Sequence, residues 1–590
     1  MVDYEIQSVP LSMPLWHRKV ERFLEANQLR LDEVDYYAVV TESGGDEILA
    51  GGGLQGDIIK CIAVSERLRD AHISNRLISH LISEATQRGH QSVKVFTKPK
   101  NRQIFESLGF RLVGEAPLAI LMENGRGIER YVELMKGLSI EALKDNQQST
   151  FNNQHSTGVI VMNANPFTRG HEYLIHQAAR RVEHLFVIPV KEDRSMFPYA
   201  ERKAMIQAAV KAPSLRGRAG VGLLEGSDYA ISAAIFPTYF LKELSDAAET
   251  QMQLDLDIFA RHIAPALGAS VRFVGSEPDD KLTCRYNELM QSRMHVEIIE
   301  RLEENGSVVS ASKVRKALSD GRFREASALV PTTTVPYLLA QLATDALQQE
   351  LDTTPKPGLI DQNDNGAHAD MNHALMQRSI AALRPYFAEL AVLAFQKELP
   401  TVEKLQKIGL EAENAMLRAT NGVNTHKGAL FALGLAVIAA AHLEFNGKLT
   451  LGQLQKTIAQ LATQIPDATG THGSKVVSEH RVKGASAMAR EGYELLFSDW
   501  LPYYRGTRSE ERKLKTLLRI MATLDDTNVY HRKGAAVAQQ MKAEAADLLD
   551  RFSMENLEQL NQTYNAQGIS PGGCADMLAL TIFVNSITHQ

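Results

Sequence analysis

The stretch Asn163-Ala164-Asn165-Pro166-Phe167-Thr168-Arg169-Gly170-His171 constrains this chain more than any other, because it joins an apolar run to a helix start through a short turn. Before it, Val159-Ile160-Val161-Met162 is a continuous apolar run of the kind buried in a parallel sheet. After it, Tyr173, Leu174, Ile175, Ala178, Ala179 and Val182 recur at helical spacing. A helix is therefore predicted from about Gly170. The free N–H groups of its first turn and the positive end of its dipole favour a polyphosphate there, and Gly170 lets a phosphate approach the backbone. On this reading His171 faces the phosphate and Asn165 holds the turn or the nucleotide. The same residues also suit a plainer role, with Thr168 as a helix N-cap and His171 as a surface side chain.

A second element tips the balance. Ser310-Ala311-Ser312-Lys313-Val314-Arg315 follows a strand-like run (Val296, Ile298, Ile299) and opens another helix, placing two hydroxyls, an ammonium and a guanidinium near one helix N-terminus. Such groups suit a triphosphate whose charge is redistributed during transfer. The two stretches together resemble the (His/Thr)-x-Gly-His and Ser-(Ser/Ala)-Ser-x-x-Arg signatures of the nucleotidyltransferase superfamily, whose fold is a doubly wound parallel sheet. Further strands are predicted at Leu185–Val190 and Val271–Gly275, the latter followed by Ser276-Glu277-Pro278-Asp279-Asp280 and by Tyr286-Asn287. Polar groups just beyond strand ends are where open parallel sheets place ligands.

At 590 residues the chain exceeds what one hydrophobic core supports, so three domains are expected: 1–140, 155–340 and 346–590. Its 44% apolar and 23% charged residues are those of an ordinary globular protein, and a net charge of -6 gives no reason to expect nucleic acid as a partner. Three scattered cysteines, Cys61, Cys284 and Cys574, match neither a disulfide framework nor a zinc pattern. The start lacks a basic signal-peptide region, and the longest apolar stretch, Ala429 to Ala441, reads as a buried helix and not a membrane span. A cytoplasmic location with no membrane association is expected.

Within the first segment, Ile58 to Val64 reads as a strand, Leu77 to Ile82 as a helix and Val93 to Phe96 as a strand, followed by Asn101-Arg102-Gln103-Ile104-Phe105-Glu106-Ser107-Leu108-Gly109-Phe110. This order resembles the acetyltransferase fold that grips the pantetheine arm of acyl-CoA. Where that family carries a glycine-bearing pyrophosphate loop, this chain has Arg67-Leu68-Arg69-Asp70-Ala71-His72-Ile73-Ser74. Without glycines the backbone approaches a pyrophosphate less closely, so a docking or carrier-recognition module is expected in place of acetyltransferase activity. The polar, non-periodic stretch Asp145 to Gln154 reads as a linker.

Beyond about residue 345 the texture turns to long Ala/Leu-rich helical patterns, an all-α domain with polar signatures between its helices. These are Thr354-Pro355-Lys356-Pro357-Gly358-Leu359, Asn365-Gly366-Ala367-His368-Ala369-Asp370-Met371, Asn424-Thr425-His426-Lys427-Gly428, Gly470-Thr471-His472-Gly473, Asp525-Asp526-Thr527-Asn528-Val529-Tyr530-His531-Arg532-Lys533-Gly534 and Gly572-Gly573-Cys574-Ala575-Asp576. Any one of them suits a cap or turn. Together they combine carboxylates for Mg²⁺ (Asp370, Asp525, Asp526, Asp576) with Lys356, Lys427, Arg532 and Lys533 for phosphates. His442 and His480, outside these stretches, read as structural. The set resembles triphosphoribosyl-dephospho-CoA synthases over nearly the whole segment.

That resemblance implies synthesis of a precursor of the citrate lyase prosthetic group from ATP and 3'-dephospho-CoA with release of adenine. Asp525 and Asp526 are then expected to hold Mg²⁺, and Asp370, His368 or His531 to move protons. Beside it, residues 1 to about 340 resemble citrate lyase ligase. This implies that acetate and ATP form acetyl-adenylate and pyrophosphate, and that the acetyl group passes to the prosthetic-group thiol on the acyl carrier subunit of citrate lyase. His171 and Thr168 are assigned to the phosphates, and Ser310, Ser312, Lys313 and Arg315 to the departing pyrophosphate. Two alternatives stay open: a cofactor adenylyltransferase using the same two motifs, and a non-catalytic acyl-CoA or nucleotide sensor.

Overall fold

The computed structural model describes residues 4–66, 71–144, 155–211, 220–230, 236–237, 245–276, 281–304, 306–466 and 472–589. Arg67 to Asp70 of the predicted pyrophosphate-loop position, the predicted linker 145–154, the stretch Glu277 to Asp280 and the pair Gly470-Thr471 lie outside these residues. Contacts divide the chain into two compact units, Met1–Val309 and Ser310–Gln590.

The first unit holds two sheets. Seven strands, β1 (Tyr4–Ser8), β2 (Tyr36–Glu42), β3 (Ala50–Gln55), β4 (Ile58–Val64), β5 (Val93–Thr97), β6 (Arg111–Glu115) and β7 (Ile120–Asn124), lie in the order β1-β2-β3-β4-β5-β7-β6. Neighbours are antiparallel except β4 and β5, which run parallel and pair only through Ile58 with Lys94 and Ile59 with Val95. Alternation along the strands sends Val40, Ile59 and Val95 to one face, under Leu77, Ile78 and Leu81 of the Ala71–Gln87 helix, and Val39, Phe96 and Leu121 to the other. The Arg102–Ser107 helix ends at Gly109, whose φ of +83° is the left-handed conformation that reverses the chain into β6. Phe105 and Phe110 then close edge to face at 5.3 Å between ring centroids.

The second sheet is fully parallel: β8 (His155–Met162), β9 (Val182–Pro189), β10 (Gly220–Leu223), β11 (Val271–Gly275) and β12 (Val296–Ile299), ordered β10-β9-β8-β11-β12. The chain lays down β8, β9 and β10 in one direction and then returns to add β11 and β12 on the other side of β8. Helices Arg169–Ala178, between β8 and β9, and Lys281–Gln291, between β11 and β12, make two of the crossovers. The order therefore reverses between β8 and β11, and the crevice beyond their carboxyl ends is the ligand position of such sheets. The second face of the first sheet and this parallel sheet share one core, in which Val113 and Leu121 join Val159, Phe186 and Ile258. Cross-links within that core include Glu115 N–H to the Asp257 carboxylate (2.9 Å) and the Tyr131 hydroxyl to the Glu225 carbonyl (2.8 Å).

Among the described residues the second unit contains no strand. Its central helix, Lys427–Phe445, is apolar on all sides and packs among Val335–Leu351, His373–Ala394 and Gly572–Thr588. It is the one helix among the described residues long and apolar enough to cross a membrane, and 72% of its apolar window is buried inside the unit. Ala429 and Ala441, the ends of the predicted buried stretch, are both in that core. The helices Ala311–Ser319 and Phe323–Ala328 also belong to this unit, the latter packing on Gly572–Thr588.

Candidate active sites

In the α/β unit the loop after β8 is held rigid by one arginine that sequence reasoning did not single out. Arg202, fully buried in the Tyr199–Val210 helix, donates to the Asn163 carbonyl and side-chain oxygen (both 2.8 Å), the Val190 carbonyl (2.9 Å) and the Phe197 carbonyl (2.9 Å), and also bonds the Glu192 carbonyl. Burial lowers its pKa, with Glu192 and Asp193 opposing. Asn165 accepts from the Phe197 N–H (3.1 Å), so its amide oxygen ties the turn to the 192–197 loop. Nothing in the local pattern around Phe197-Pro198-Tyr199 marks Arg202. Its partners lie on three separate segments, and only the fold brings them together.

Thr168 begins the Arg169–Ala178 helix as its N-cap, and the cap is reciprocal. The Thr168 hydroxyl accepts from the His171 N–H (3.3 Å), while His171 Nδ1 accepts from the Thr168 N–H (3.0 Å). An Nδ1 that accepts leaves the ring proton on Nε2, so His171 is a neutral imidazole with an N–H to offer. Burial, and secondarily the charge of Arg301, lowers its pKa to about 4, and the ring lies against Phe167 at 5.7 Å. The expected phosphate role of Thr168 is revised by this geometry: its side chain is 1% exposed and its hydroxyl is spent in the cap, so it positions His171. Gly170 follows, and a Cβ there would stand 3.0 Å from the Val309 carbonyl.

Two further expectations for this unit change. Tyr286, expected beyond the end of β11, lies in the Lys281–Gln291 helix, where its hydroxyl accepts from the Arg272 guanidinium (3.1 Å) and donates to Asp255. Asn287 is also buried. Ser310 caps the Ala311–Ser319 helix in the other unit, accepting from the Lys313 N–H (3.4 Å), with the Ser312 hydroxyl 3.0 Å away. Ser312 and Lys313 are exposed and Arg315 is half-buried on that helix.

The helical unit contains a cavity of about 1480 Å³. Nine side chains singled out from the sequence line it: Lys356 and His368 from the loops after the Val335–Leu351 helix, Asp370, Lys427, Asp525, Asp526, His531, Arg532 and Asp576. Lys533 is not among its walls; its ammonium lies beside Gly568. Gly358 makes one wall possible, since it sits at φ +74° with the Ile569 carbonyl 1.9 Å from where a Cβ would be.

The cavity's charges are arranged differently from the expectation. Lys356, 1% exposed, pairs with the buried Glu350 and donates to the Glu350 carbonyl (2.8 Å), so its ammonium neutralises a protein carboxylate before any phosphate. Lys427 pairs with Glu413 at the surface. Asp525 and Asp526, expected to clamp Mg²⁺ together, face different partners. Asp525 pairs with Lys542 (2.9 Å). Asp526 caps the Thr527–Lys533 helix: one carboxylate oxygen accepts from Asn528 N–H (2.9 Å) and Val529 N–H (3.3 Å), and the other from Cys574 N–H (2.9 Å). Three of the roughly four lone-pair positions of this carboxylate are thus taken by backbone, and one on Oδ2 remains. Among the described residues no cluster of three or more His, Cys, Asp or Glu side chains is placed to hold a metal.

His368 bonds the Ser570 hydroxyl (2.7 Å) and lies 3.9 Å from Asp370; burial, then Arg532, lowers its pKa. Asp370, His531 and Arg532 are exposed at the mouth. The floor instead holds Glu350, Asp576 and His426, none of which sequence reasoning placed in a catalytic role. Asp576 was expected as a carboxylate for Mg²⁺, and His426 stands within a quoted stretch in which its neighbour Lys427 drew the assignment, because a surface cation looks like a phosphate ligand.

Comparison with known proteins divides the chain in the same sense. The family model for the citrate lyase ligase C-terminal domain matches residues 157–338, and that for ATP:dephospho-CoA triphosphoribosyl transferase matches residues 336–590. A [citrate [pro-3S]-lyase] ligase from Haemophilus influenzae is 37% identical over 331 residues, covering 54% of this chain and 94% of its own length. One from Escherichia coli is 36% identical over 336 residues, covering 54% and 89%. A protein named "Probable 2-(5''-triphosphoribosyl)-3'-dephosphocoenzyme-A synthase" from Pseudomonas syringae pv. tomato is 39% identical over 264 residues, covering 42% and 91%. With each relative matched over nearly its whole length by a different part of one polypeptide, the chain belongs to the citrate lyase ligase family over its α/β part and to the triphosphoribosyl-dephospho-CoA synthase family over its helical part.

Proposed function

We propose that the chain is a bifunctional enzyme of citrate lyase activation, one site charging the prosthetic group with acetate and the other building its precursor. In the α/β unit ATP lies in the crevice where the strand order reverses, its phosphates over the first turn of the Arg169–Ala178 helix. Acetate attacks the α-phosphorus, the bond to the bridging oxygen breaks, and pyrophosphate leaves. The Nε2–H of His171 is the observation that carries this reading: a neutral donor, locked by the reciprocal cap, that meets developing phosphate charge without reorganising. The acetyl group then passes to the thiol on the acyl carrier subunit of citrate lyase, and the acetyltransferase-like front sheet is the surface assigned to recognise that carrier.

In the helical unit the cavity of about 1480 Å³ has room for two nucleotide-sized substrates, ATP and 3'-dephospho-CoA. Arg532 and Lys427 at its mouth meet the triphosphate, and a ribose hydroxyl of dephospho-CoA displaces adenine at the anomeric carbon of ATP. Asp370 and Asp525 in the cavity lining would be the carboxylates to hold a Mg²⁺ bound with the triphosphate, which would neutralise part of its charge. The test is a pair of assays on the purified chain, acetate-dependent formation of AMP and pyrophosphate, and adenine release that requires both ATP and dephospho-CoA. Transfer of AMP to a phosphate acceptor with no acetate dependence would replace the first half of the reading by an adenylyltransferase.

A further inference from the structure

One imidazole in the wall of the helical cavity keeps a buried nitrogen unmet. His426, 3% exposed, stands at the N-cap of the Lys427–Phe445 helix and lines the cavity. Its backbone N–H meets Met416 Sδ (3.3 Å), and its Nδ1 meets the Ser379 hydroxyl (2.7 Å). Ser379 in turn accepts the Thr425 hydroxyl proton (2.7 Å). These are the two groups that the Ser379 hydroxyl meets among the described residues, so its own proton goes to Nδ1. The ring proton therefore sits on Nε2, which has no partner among the described residues. Burial, then the charge of Lys356, lowers the imidazole pKa to about 3, in agreement with the neutral ring that the bonds imply.

A buried N–H left unmet favours any ligand that brings it an acceptor. The surroundings decide what kind. Lys356, whose charge the ring feels, is taken by Glu350. The same helix turn is packed against a second carboxyl: Asp576 receives the Ala429 N–H, and the approach depends on residue 428 being glycine, since a Cβ there would lie 2.0 Å from Asp576 Oδ2. This wall thus adds a carboxyl and no cation, and a phosphate gains nothing by entering it. Lys427 and Arg532, the cations that suit phosphate, are exposed at the mouth. Phe431, Met488 and Met577 line the same cavity and offer apolar surface to a flat ring. An uncharged heteroaromatic acceptor fits the inner wall, and a triphosphate fits the mouth.

We propose that the Nε2–H of His426 is the adenine-recognition donor of the helical site, bonded to a ring nitrogen of the ATP base, with Ser379 and Thr425 as positioning residues that keep the proton on Nε2. This rests on the reading of the helical unit given above. Ring nitrogens are the acceptors of adenine, because its exocyclic amine donates. The bond therefore turns the base inward and leaves the triphosphate at the mouth. His426 makes and breaks no covalent bond; it binds and orients.

The test uses the full chain, with base release from ATP and dephospho-CoA as the readout, since the helical site alone gives that product. Free adenine, 1-deazaadenine, 3-deazaadenine and 7-deazaadenine serve as inhibitors, each analogue carrying a C–H in place of one accepting nitrogen. On wild-type enzyme, which carries no folding defect, one analogue is expected to inhibit about tenfold more weakly than adenine. His426→Phe is expected to weaken adenine by about the same factor and to leave that analogue unchanged, the coupling that a direct bond requires. His426→Gln, which retains an N–H donor, is expected to recover part of the loss. Adenine that does not inhibit wild type, three analogues that all inhibit as adenine does, or an adenine inhibition constant unchanged in His426→Phe overturns the assignment and leaves the function standing. So does equal weakening of adenine and every analogue in His426→Phe, the mark of a role in structure alone. Wild-type enzyme that releases no adenine from ATP and dephospho-CoA overturns both.

Discussion

His171 and His426 are both neutral imidazoles whose Nδ1 accepts, so both present an Nε2–H, but they reach that state by different routes. His171 is set by a partner three residues away, within one turn of helix. His426 is set by Ser379, 47 residues earlier on another helix, and its depressed pKa owes part of its shift to Lys356 from a third segment. The α/β site is thus local in its chemistry and the helical site is assembled across the unit. The lesson is that the same donor built locally survives distant substitution, whereas the assembled one fails when any wall moves.

The largest expected effect separates the two sites outright. His171→Ala removes the neutral donor and is expected to reduce acetate-dependent AMP formation about 10²–10³-fold, leaving adenine release unchanged because the sites belong to different compact units. Loss of both activities in a folded variant breaks the comparison. Next, Asp526→Ala strips the acceptor from three backbone N–H groups at once. We expect abolished adenine release and a loss of about 2–3 kcal/mol in the unfolding of the helical unit, read by calorimetry, with acetate activation retained.

Gly428→Ala tests the assembled floor more finely. Its Cβ meets the Asp576 carboxyl at 2.0 Å, and displacement of that group by a fraction of an ångström is expected to slow adenine release by about 10–100-fold with little change in ATP affinity. A smaller effect is expected from pH. The His171 pKa falls from the ordinary 6.5 to about 4 on folding, so below pH 6.5 the unfolded chain takes up a proton that the folded one refuses. Stability is therefore full above pH 6.5 and declines toward pH 4. His171→Asn is expected to flatten that limb in a denaturant series. At the bottom of the scale, Lys533→Ala is expected to leave adenine release within about twofold, as for a surface change, because its side chain is outside the cavity.

What could be read in advance follows the same division. The apolar run of β8, the turn and the helix start at Thr168 were legible because each is a short-range pattern: buried parallel strands are continuously apolar, and N-cap preferences act over three residues. The buried Ala429–Ala441 stretch was legible for its all-round apolarity. Residue roles were less so. Thr168 looked like a phosphate ligand and turned out to be occupied by its own cap; Lys356 looked like a phosphate cation and is neutralised by Glu350, six residues earlier on a helix that carries no motif. Arg202 and the fit of Asp576 against Gly428 depend on segments whose approach no local pattern encodes.

The order of residues alone determined the two families, the sheet-then-helix division and the stretches that hold the chemistry, since periodicity, capping and motif spacing are properties of neighbours along the chain. Tertiary structure alone decided which groups in those stretches are free to act. A buried carboxyl or imidazole takes its charge and its donor direction from whatever packs against it: Lys356 was claimed by Glu350 and Asp526 by three backbone N–H groups, while His426 kept its Nε2 unpaired among the described residues in the cavity wall.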